Sequence, residues 1–413
     1  MKGLILGGGV TGLAAGLASG VPVLEASGGP GGICASYMKE GYRFERGGGH
    51  WLFGLDDALR PMLEAASPLK TYRRKSAVYF AATGLKVPYP LQYHLRCLPR
   101  AVARRALAEV GRGGPARTMR DWLKAWFGPT LCELFFEPFH DRYTAGLHAR
   151  VAPQDSYKSP VDMRQARAGA AGGAADAGYN VEFAYPALGL GAMTGAFARR
   201  CDLRPGSAVR GIDLGSRRVA LGDGRSLAWD RLVSTLPLPV TARLCGWRVP
   251  AAEAPFTSVL VLNVGAARGP RTPAEHWLYV PDAASGFHRV GFYSNVDASF
   301  LPRGARGRTS LYVERAYPGG ARPTPIEEKA YAAAALAELR AWGFIGAADV
   351  VDASWVEYAY TYSLPGSTWR ARTMARLAAE GILPAGRYGR WRFQGICESL
   401  HEGLAAGAAL RAA

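Results

Sequence analysis

The sequence of 413 residues lacks cysteine and histidine patterns that bind metals or form redox dithiols. Its six cysteines, at positions 34, 97, 132, 201, 245 and 397, form no C-x-x-C, and its seven histidines form no H-E-x-x-H. Because zinc sites and redox dithiols need closely spaced ligands, we expect no metal, and we interpret the cysteines as reduced thiols of a cytoplasmic protein. The G-x-S-x-G motif of many hydrolases is also missing.

Long runs of basic residues are absent, although the formal net charge is +17. The arginines and lysines are spread along the chain in short pairs such as Arg73-Arg74 and Arg199-Arg200. This distribution argues against a nucleic-acid-binding protein, which clusters its positive charge. It favours an anionic small ligand or a solvated surface. We interpret residues 67–80 as a turn into a strand with a basic start that forms a solvated face.

Residues 3–24 contain no charged side chain, and this length would permit a membrane-spanning helix. Seven glycines interrupt the segment, and each costs about 1 kcal/mol in a helix relative to alanine. A single lysine precedes it, and no cleavage site is followed by an obvious mature start. We therefore expect neither a signal peptide nor a membrane anchor, and no other segment is long and apolar enough to span.

The order of elements in this opening segment indicates a dinucleotide-binding unit. Residues 4–6 predict a short buried strand, residues 7–12 (GGGVTG) match G-x-G-x-x-G, and residues 13–19 predict a small, apolar helix. Residues 21–24 predict a second strand that ends at Glu25, near the spacing expected for an acid that binds ribose.

Each residue type in this pattern has a physical task. Gly7 permits a tight turn, Gly9 lets the backbone approach a pyrophosphate, and Gly12 lets the helix pack closely on the strand. The helix N-terminus, with its free N–H groups, faces the phosphate charge. Glu25 is expected to accept hydrogen bonds from the hydroxyls of an adenosine ribose.

The residues after Glu25 resemble the amine-oxidase superfamily of FAD enzymes. Residues 28–32 (GGPGG) match the glycine turn that follows the ribose acid in that superfamily, and residues 47–53 (GGGHWLF) match the loop placed against the flavin. Short strands with Gly-Asp turns at 201–239, and a strand, Gly-Arg turn and helix at 383–410, match its later elements. A flexible surface loop remains the alternative interpretation of the second glycine cluster. The resemblance spans essentially the whole chain and implies FAD as the cofactor.

The spacing and the resemblance together predict the residues that hold FAD. In the superfamily, the position of Val209 brings a backbone to the adenine, and the C-terminal element brings N–H groups and a helix N-terminus near the flavin and pyrophosphate. The predicted cofactor-binding residues are Gly7, Gly9, Val10, Thr11, Gly12, Glu25, Ala26, Gly31, Gly32, Gly48, Gly49, His50, Val209, Gly386, Arg387, Gln394, Gly395 and Ile396.

The resemblance also implies an α/β fold, with a discontinuous Rossmann-like FAD-binding domain, a mixed α+β substrate domain and a helical insert. The FAD-binding domain is expected to comprise residues 1–66, 183–245 and 377–413. Residues 67–182 are expected to form the mainly helical insert, and residues 246–376 the substrate-domain sheet. The Ala/Gly-rich run at 167–180 is interpreted as a linker or as a lid over the substrate.

Several stretches resemble the UDP-galactopyranose-mutase and protoporphyrinogen-oxidase-like branch, among them FHRVGF at 287–292 and EYAYTY at 357–362. In the mutases two arginines grip the substrate diphosphate, and the matching positions here are Arg289 and Arg387. Tyr360 matches a phosphate hydroxyl donor, and His50 matches the loop histidine beside the flavin. These four residues are the candidate catalytic residues. Alternatively, Arg387 contacts the FAD phosphate and Arg289 is a structural ion-pair partner.

Two positions depart from the mutase pattern. Thr144 stands where that branch commonly has a tryptophan, and Phe393 stands where the mutases have a phosphate-binding tyrosine. A threonine cannot stack on a base, and a phenylalanine cannot donate a hydrogen bond. We therefore expect an FAD-dependent oxidoreductase that acts on a small, polar, anionic substrate, sugar- or phosphate-bearing, by hydride transfer to flavin N5. The alternatives are a redox-neutral sugar-nucleotide mutase using reduced FAD and a noncatalytic FAD-binding protein.

Overall fold

A computed structural model describes residues 2–154, 161–173 and 181–412 of the chain. Residues 174–180 of the Ala/Gly-rich run lie outside the described residues, whereas its first residues, 167–171, are helical. The strands in chain order are β1 (Gly3–Leu6), β2 (Val23–Leu24), β3 (Ser36–Lys39), β4 (Tyr42–Glu45), β5 (Leu69–Arg73), β6 (Ser76–Phe80), β7 (Leu85–Pro88), β8 (Glu182–Pro186), β9 (Leu203–Arg204), β10 (Val209–Asp213), β11 (Arg218–Leu221), β12 (Ser226–Ala228), β13 (Arg231–Ser234), β14 (Phe256–Arg268), β15 (Trp277–Tyr279), β16 (Arg289–Phe292), β17 (Arg308–Pro318), β18 (Ile345–Thr361) and β19 (Ile382–Pro384).

The helices connect these strands and form most of the segment between β7 and β8. They are α1 (Val10–Ser19), α2 (Arg60–Ala66), α3 (Arg100–Glu109), α4 (Met119–Leu131), α5 (Glu137–Tyr143), α6 (Met163–Ala171), α7 (Leu190–Ala198), α8 (Leu238–Leu244), α9 (Tyr293–Val296), α10 (Pro325–Ala341), α11 (Trp369–Ala379), α12 (Gly386–Gly389) and α13 (Ile396–Ala412). A π-helical turn, Cys132–Phe136, joins α4 to α5.

A parallel five-stranded sheet in the order β19-β13-β1-β2-β9 draws its strands from the beginning, the middle and the end of the chain. Its strands are short and mostly apolar, as expected for a parallel sheet covered on both faces. The predicted strand at 4–6 and helix at 13–19 are observed as β1 and α1, and the helix begins three residues earlier, directly after Gly9. The predicted α/β class is confirmed.

Helix α1 is held closely against both the sheet and α13 by glycines. A Cβ at Gly12 would lie 1.8 Å from the carbonyl oxygen of Gly7, and one at Gly16 would lie 2.7 Å from the Val23 side chain. On α13, a Cβ at Gly403 would lie 2.3 Å from the carbonyl oxygen of Thr11. Because only glycine fits these contacts, the N-terminus of α1 is fixed relative to the loops around it.

A second sheet has seven strands in the order β18-β14-β17-β16-β15-β6-β7. Three long antiparallel strands, β14, β17 and β18, form one half, and β15 pairs in parallel with β6 in the other half. Helix α10 covers one face, and the other face packs toward the glycine-rich loops of the first sheet. The candidate site lies between the two sheets.

The segment 67–182, predicted as mainly helical, begins with three strands. Of these, β6 and β7 extend the seven-stranded sheet, and β5 pairs with β8. The helical part follows only after β7, because the short apolar run of β6 is buried along its whole length between β15 on one side and β7 on the other.

Within the three described stretches, no helix is both long and apolar enough to cross a membrane. In the same stretches, no three histidine, cysteine, aspartate or glutamate side chains are grouped as a metal ion would require.

The contact between α1 and α13 provides a test of the packing. We expect Gly403→Val to lower the free energy of unfolding by about 1–3 kcal/mol, because the new side chain must push the two helices apart. Urea unfolding followed by circular dichroism measures the change. Ala405→Val, on the exposed face of the same helix, is the control and should cost under about 1 kcal/mol. Equal costs for the two variants would contradict the close packing.

Candidate functional site

The glycine turn after β1 opens onto a cavity of about 340 Å³, which we call the inner cavity. Gly7 has a φ of 99°, which favours glycine, and its N–H donates to the carbonyl oxygen of Leu24. Gly9 has an ordinary φ of −72°, but no protein atom lies within 4 Å of a Cβ added there. Gly7 and Gly12 thus serve the fold, whereas Gly9 leaves open space in front of the N-terminus of α1. A diphosphate fits this arrangement of free N–H groups and space.

Glu25 lies at the end of β2 and is bound to the glycine turn. Its Oε2 accepts from the Gly8 N–H at 2.7 Å, and its Oε1 accepts from the Ser27 N–H at 2.8 Å. A carboxylate has about four acceptor positions, so two hydroxyls of a ribose can still bind it. The carbonyl oxygen of Glu25 accepts from Ser207, two residues before Val209. Glu25, Ala26 and Val209 therefore share one flank of the glycine turn, although none of them lines the inner cavity.

Most of the predicted residues do line the inner cavity, although they come from widely separated parts of the chain. Those in its wall are Gly7, Gly9, Val10, Thr11, Gly31, Gly32, Gly49, His50, Arg289, Tyr360, Gly386, Arg387, Gln394, Gly395 and Ile396. Gly12 and Gly48 lie behind the wall. A Cβ at Gly48, whose φ is 80°, would lie 2.7 Å from Oε1 of Glu314.

His50 is a neutral imidazole. Burial, together with the positive charges of Arg387 and Arg289, lowers the pKa of its ring to about 4. Its Nδ1 lies 3.3 Å from the carbonyl oxygen of Gly48, and a carbonyl can only accept, so this nitrogen carries the proton. The Nε2 of His50 is therefore left as a hydrogen-bond acceptor.

Arg289 forms a buried ion pair with Glu314. Its Nε and Nη2 donate to the two carboxylate oxygens at 2.9 and 2.6 Å, a bidentate arrangement. Burial opposes ionisation of Glu314, but Arg289 and His288 more than offset it and hold the pKa of the carboxyl below its usual value. This pairing agrees with the alternative interpretation that Arg289 is a structural ion-pair partner. The same side chain also lines the inner cavity, and its Nη1 donates no hydrogen bond to the described residues.

Arg387 is positioned by backbone carbonyls and aromatic rings. Its Nη2 donates to the Ala359 oxygen at 2.6 Å, and its guanidinium lies 4.6 Å from the Phe393 ring centre and 5.2 Å from the Tyr360 ring centre. Burial raises the pKa of Tyr360, against the lowering effect of Arg289, so its hydroxyl keeps its proton and can donate. At the start of α13, the Gly395 N–H donates to the Glu398 side chain at 2.7 Å.

A second cavity of about 210 Å³ adjoins the inner cavity, and we call it the aromatic chamber. The two share Gly49, Trp51, Phe53, Arg289, Tyr360, Phe393 and Gly395. The rest of the chamber wall is mostly aromatic and comprises Arg74, Tyr89, Phe135, Phe136, Phe139, His140, Tyr143, Trp277 and Tyr279. The π-helical turn contributes two of these rings, and π turns are frequent at functional sites.

The two departures from the mutase pattern have different positions. Thr144 is buried outside the wall of either cavity, where its Oγ1 donates to the His140 oxygen at 2.7 Å and accepts from the His148 N–H at 2.9 Å. Phe393 lines both cavities. The neighbouring Tyr143, not residue 144, faces the chamber.

Several residues that line the two cavities were not predicted from the sequence. Cys34 lines the inner cavity, and burial, helped by Glu45, raises the pKa of its thiol to about 12, so it stays protonated. Trp51 and Phe53 belong to the GGGHWLF loop, where only the glycines and His50 had been assigned. The insert contributes chamber aromatics from residues 135–143, FFEPFHDRY. The high density of aromatic rings in this stretch could have indicated a ligand-binding wall.

A substitution at Gly9 tests whether the inner cavity is the FAD site. Gly9→Val should leave the protein folded, because no protein atom opposes the side chain, but should abolish flavin retention by filling the space before α1. The flavin-to-protein ratio after purification measures this. Gly28→Val is the control, since Gly28 also has no atom within 4 Å of an added Cβ but lies outside the cavity wall. Normal flavin content in Gly9→Val would contradict the assignment.

Comparisons with known proteins give the family and the fold. Residues 13–409 match the family described as flavin containing amine oxidoreductase. Among curated proteins, no sequence matches the chain. A reduced UDP-galactopyranose mutase has a similar structure, with a TM-score of 0.86 and 21% identity over 98% of this chain and 94% of the other.

Two further solved structures share the fold at lower similarity. A proposed protoporphyrinogen oxidase from Exiguobacterium has a TM-score of 0.76 and 16% identity, over 99% of this chain and 98% of the other. Cyclohexylamine oxidase from Brevibacterium oxydans has a TM-score of 0.64 and 16% identity, over 100% of this chain and 98% of the other. Because the family match covers nearly the whole sequence, this chain belongs to the flavin containing amine oxidoreductases, with FAD as its cofactor.

Proposed function

We propose that this chain is an FAD-dependent oxidoreductase that acts on a small anionic substrate by hydride transfer to flavin N5. The observation that carries the proposal is the charge of the two adjoining cavities. Arg74 and Arg387 line them together with Arg289, which Glu314 pairs from behind the wall, and no carboxylate of the described residues lies in the wall itself. A positive wall favours an anion and opposes a protonated amine.

The protein's own residues have separate tasks in this proposal. Gly9 and the N-terminus of α1 bind the diphosphate of FAD, and Glu25 binds its ribose. Bound FAD would supply the hydride acceptor, which is chemistry that no side chain offers. Arg387 and Tyr360 orient the anionic group of the substrate through N–H and O–H donors, and neutral His50 offers an acceptor nitrogen. The rings of the aromatic chamber exclude water.

A redox-neutral mutase acting on a sugar nucleotide is the second candidate. Arg289 and Arg387 line the same cavity, as a pair that binds a diphosphate would have to do. Two features weigh against it: Glu314 already neutralises Arg289, and Phe393 offers no hydroxyl. The fold similarity to a UDP-galactopyranose mutase does not decide between the candidates, because the identity is only 21%.

Anaerobic mixing separates the two functions. With oxidised holoenzyme, we expect a phosphorylated or carboxylated sugar or alcohol to bleach the flavin absorbance, and amines such as putrescine to leave it unchanged. With dithionite-reduced enzyme, we expect UDP-galactopyranose to remain unconverted, as measured by chromatography. Conversion only by the reduced enzyme would reject the oxidoreductase in favour of the mutase, and bleaching by amines alone would reject the anionic substrate.

Arg387 provides a test of substrate orientation. Loss of a charge-assisted hydrogen bond costs about 1.5–3 kcal/mol, so Arg387→Gln should raise KM for the anionic substrate roughly 10- to 100-fold, with a smaller change in kcat. Steady-state kinetics on flavin-loaded protein measures this, with Arg370→Gln on the exposed surface as the control. If Arg387→Gln instead loses flavin and keeps its KM, Arg387 binds the FAD phosphate and not the substrate.

A further inference from the structure

A third cavity, of about 350 Å³, lies at the protein surface where β6 begins. We call it the basic pocket and define it by the side chains of Arg73, Arg74, Lys75, Lys86, Tyr89 and Glu275 in its wall. Arg73 ends β5, Arg74 and Lys75 form the turn to β6, and Lys86 comes from the neighbouring strand β7. The sequence alone suggested a solvated face for this basic segment.

The charge of the basic pocket is strongly positive. Four cationic side chains line it, against one carboxylate from the described residues, Glu275, which pairs with Lys86 at 2.7 Å. The Lys75 ammonium forms no hydrogen bond or ion pair with any described residue, while its backbone is held, since its carbonyl oxygen accepts from the His276 N–H at 2.7 Å. Positive charge gathered around a concave surface concentrates anions there.

The basic pocket shares a wall with the aromatic chamber. Arg74 and Tyr89 line both cavities, and the Tyr89 ring packs against the chamber residue Tyr279 with ring centres 4.7 Å apart. Alternation along the chain explains the division of roles, because Arg73 and Lys75 are exposed whereas Arg74 between them is half-buried. The Arg74 guanidinium lies 5.7 Å from the centre of the Tyr89 ring.

We propose that the basic pocket binds a phosphate or diphosphate group of the substrate, distinct from the anionic group that Arg387 and Tyr360 orient, while an apolar or planar part of the same molecule occupies the aromatic chamber. The inference rests on the proposed function and narrows its substrate class to anions with an apolar or planar body. Lys75 and Lys86 supply the charge at the outer side. Arg74 and Tyr89 form the boundary that the ligand crosses, one contributing a guanidinium and the other a ring for stacking.

Titration calorimetry of the FAD-loaded protein with inorganic pyrophosphate, at low ionic strength, tests the anion site. We expect wild-type protein to bind pyrophosphate and Lys75→Ala/Lys86→Ala to bind it at least tenfold more weakly, because two cations are lost and Glu275 is left unpaired in the wall. Arg306→Ala/Lys329→Ala removes two exposed positive charges elsewhere and is the matched control, with under a twofold change expected. Equal weakening in both variants, or none in the first, would overturn the site.

Phenyl phosphate tests the connection to the aromatic chamber. If one ligand spans both cavities, wild-type protein should bind phenyl phosphate at least tenfold more tightly than inorganic phosphate. Tyr89→Leu should remove most of that difference while its affinity for inorganic phosphate stays within twofold. Equal affinities of wild-type protein for the two probes would reject the spanning ligand.

These titrations need no turnover, so their outcome is separable from that of the proposed function. Binding of both probes as expected, together with no bleaching of the flavin by any anionic substrate, would support the anion site and reject the oxidoreductase. Bleaching of the flavin by an anion, together with no binding of pyrophosphate, would support the oxidoreductase and reject the basic pocket as a site.

Discussion

The close approach of α1 to its neighbours is the constraint on which the rest of the site depends. Gly12 lets the helix touch the turn at Gly7, and Gly403 lets α13 touch the backbone of α1 at Thr11. Gly386 packs against the Thr11 side chain as well, since a Cβ there would lie 2.4 Å from its Oγ1. A helix N-terminus binds an anion only if its N–H groups are exposed at a fixed position. The glycine contacts provide that position, and they also fix Arg387, the residue after Gly386.

Buried charge is the second constraint between the two sheets. Arg289 is stable there because Glu314 accepts from it in a bidentate arrangement, and a buried charge without a partner would be strongly destabilising. The same pair leaves the Nη1 of Arg289 available at the cavity wall. His50 avoids the cost of burial in another way, since it stays neutral beside the two arginines. The positive character of the wall therefore comes chiefly from Arg387 and, in the chamber, from Arg74.

The parts that could be predicted from the sequence are those whose chemistry is local. The G-x-G-x-x-G turn, the strand before it and Glu25 lie within one short segment, so their spacing alone indicates a dinucleotide site. His50, Arg289, Tyr360 and Arg387 were predicted from the resemblance, and the structure brings all four to one cavity. Their roles remain predictions. A strand was expected within residues 67–80, but its place in the seven-stranded sheet could not be predicted. That place depends on the pairing of β6 with β15, some 200 residues away, and β7 then pairs with β6.

The sequence by itself determined a dinucleotide-binding strand, turn and helix, because glycine spacing and apolar strands act through neighbouring residues, and its resemblance to a known family implied FAD and the α/β fold. Only the tertiary structure decided which side chains form the substrate cavities. The aromatic chamber gathers rings from the insert, the flavin loop, β15 and β18, and no spacing rule connects such distant segments. The pairing of Arg289 with Glu314 likewise depends on the register of β16 against β17, which sets these two residues opposite each other. The sequence gives the charge of each side chain, but the tertiary structure decides which partner, if any, lies beside that charge.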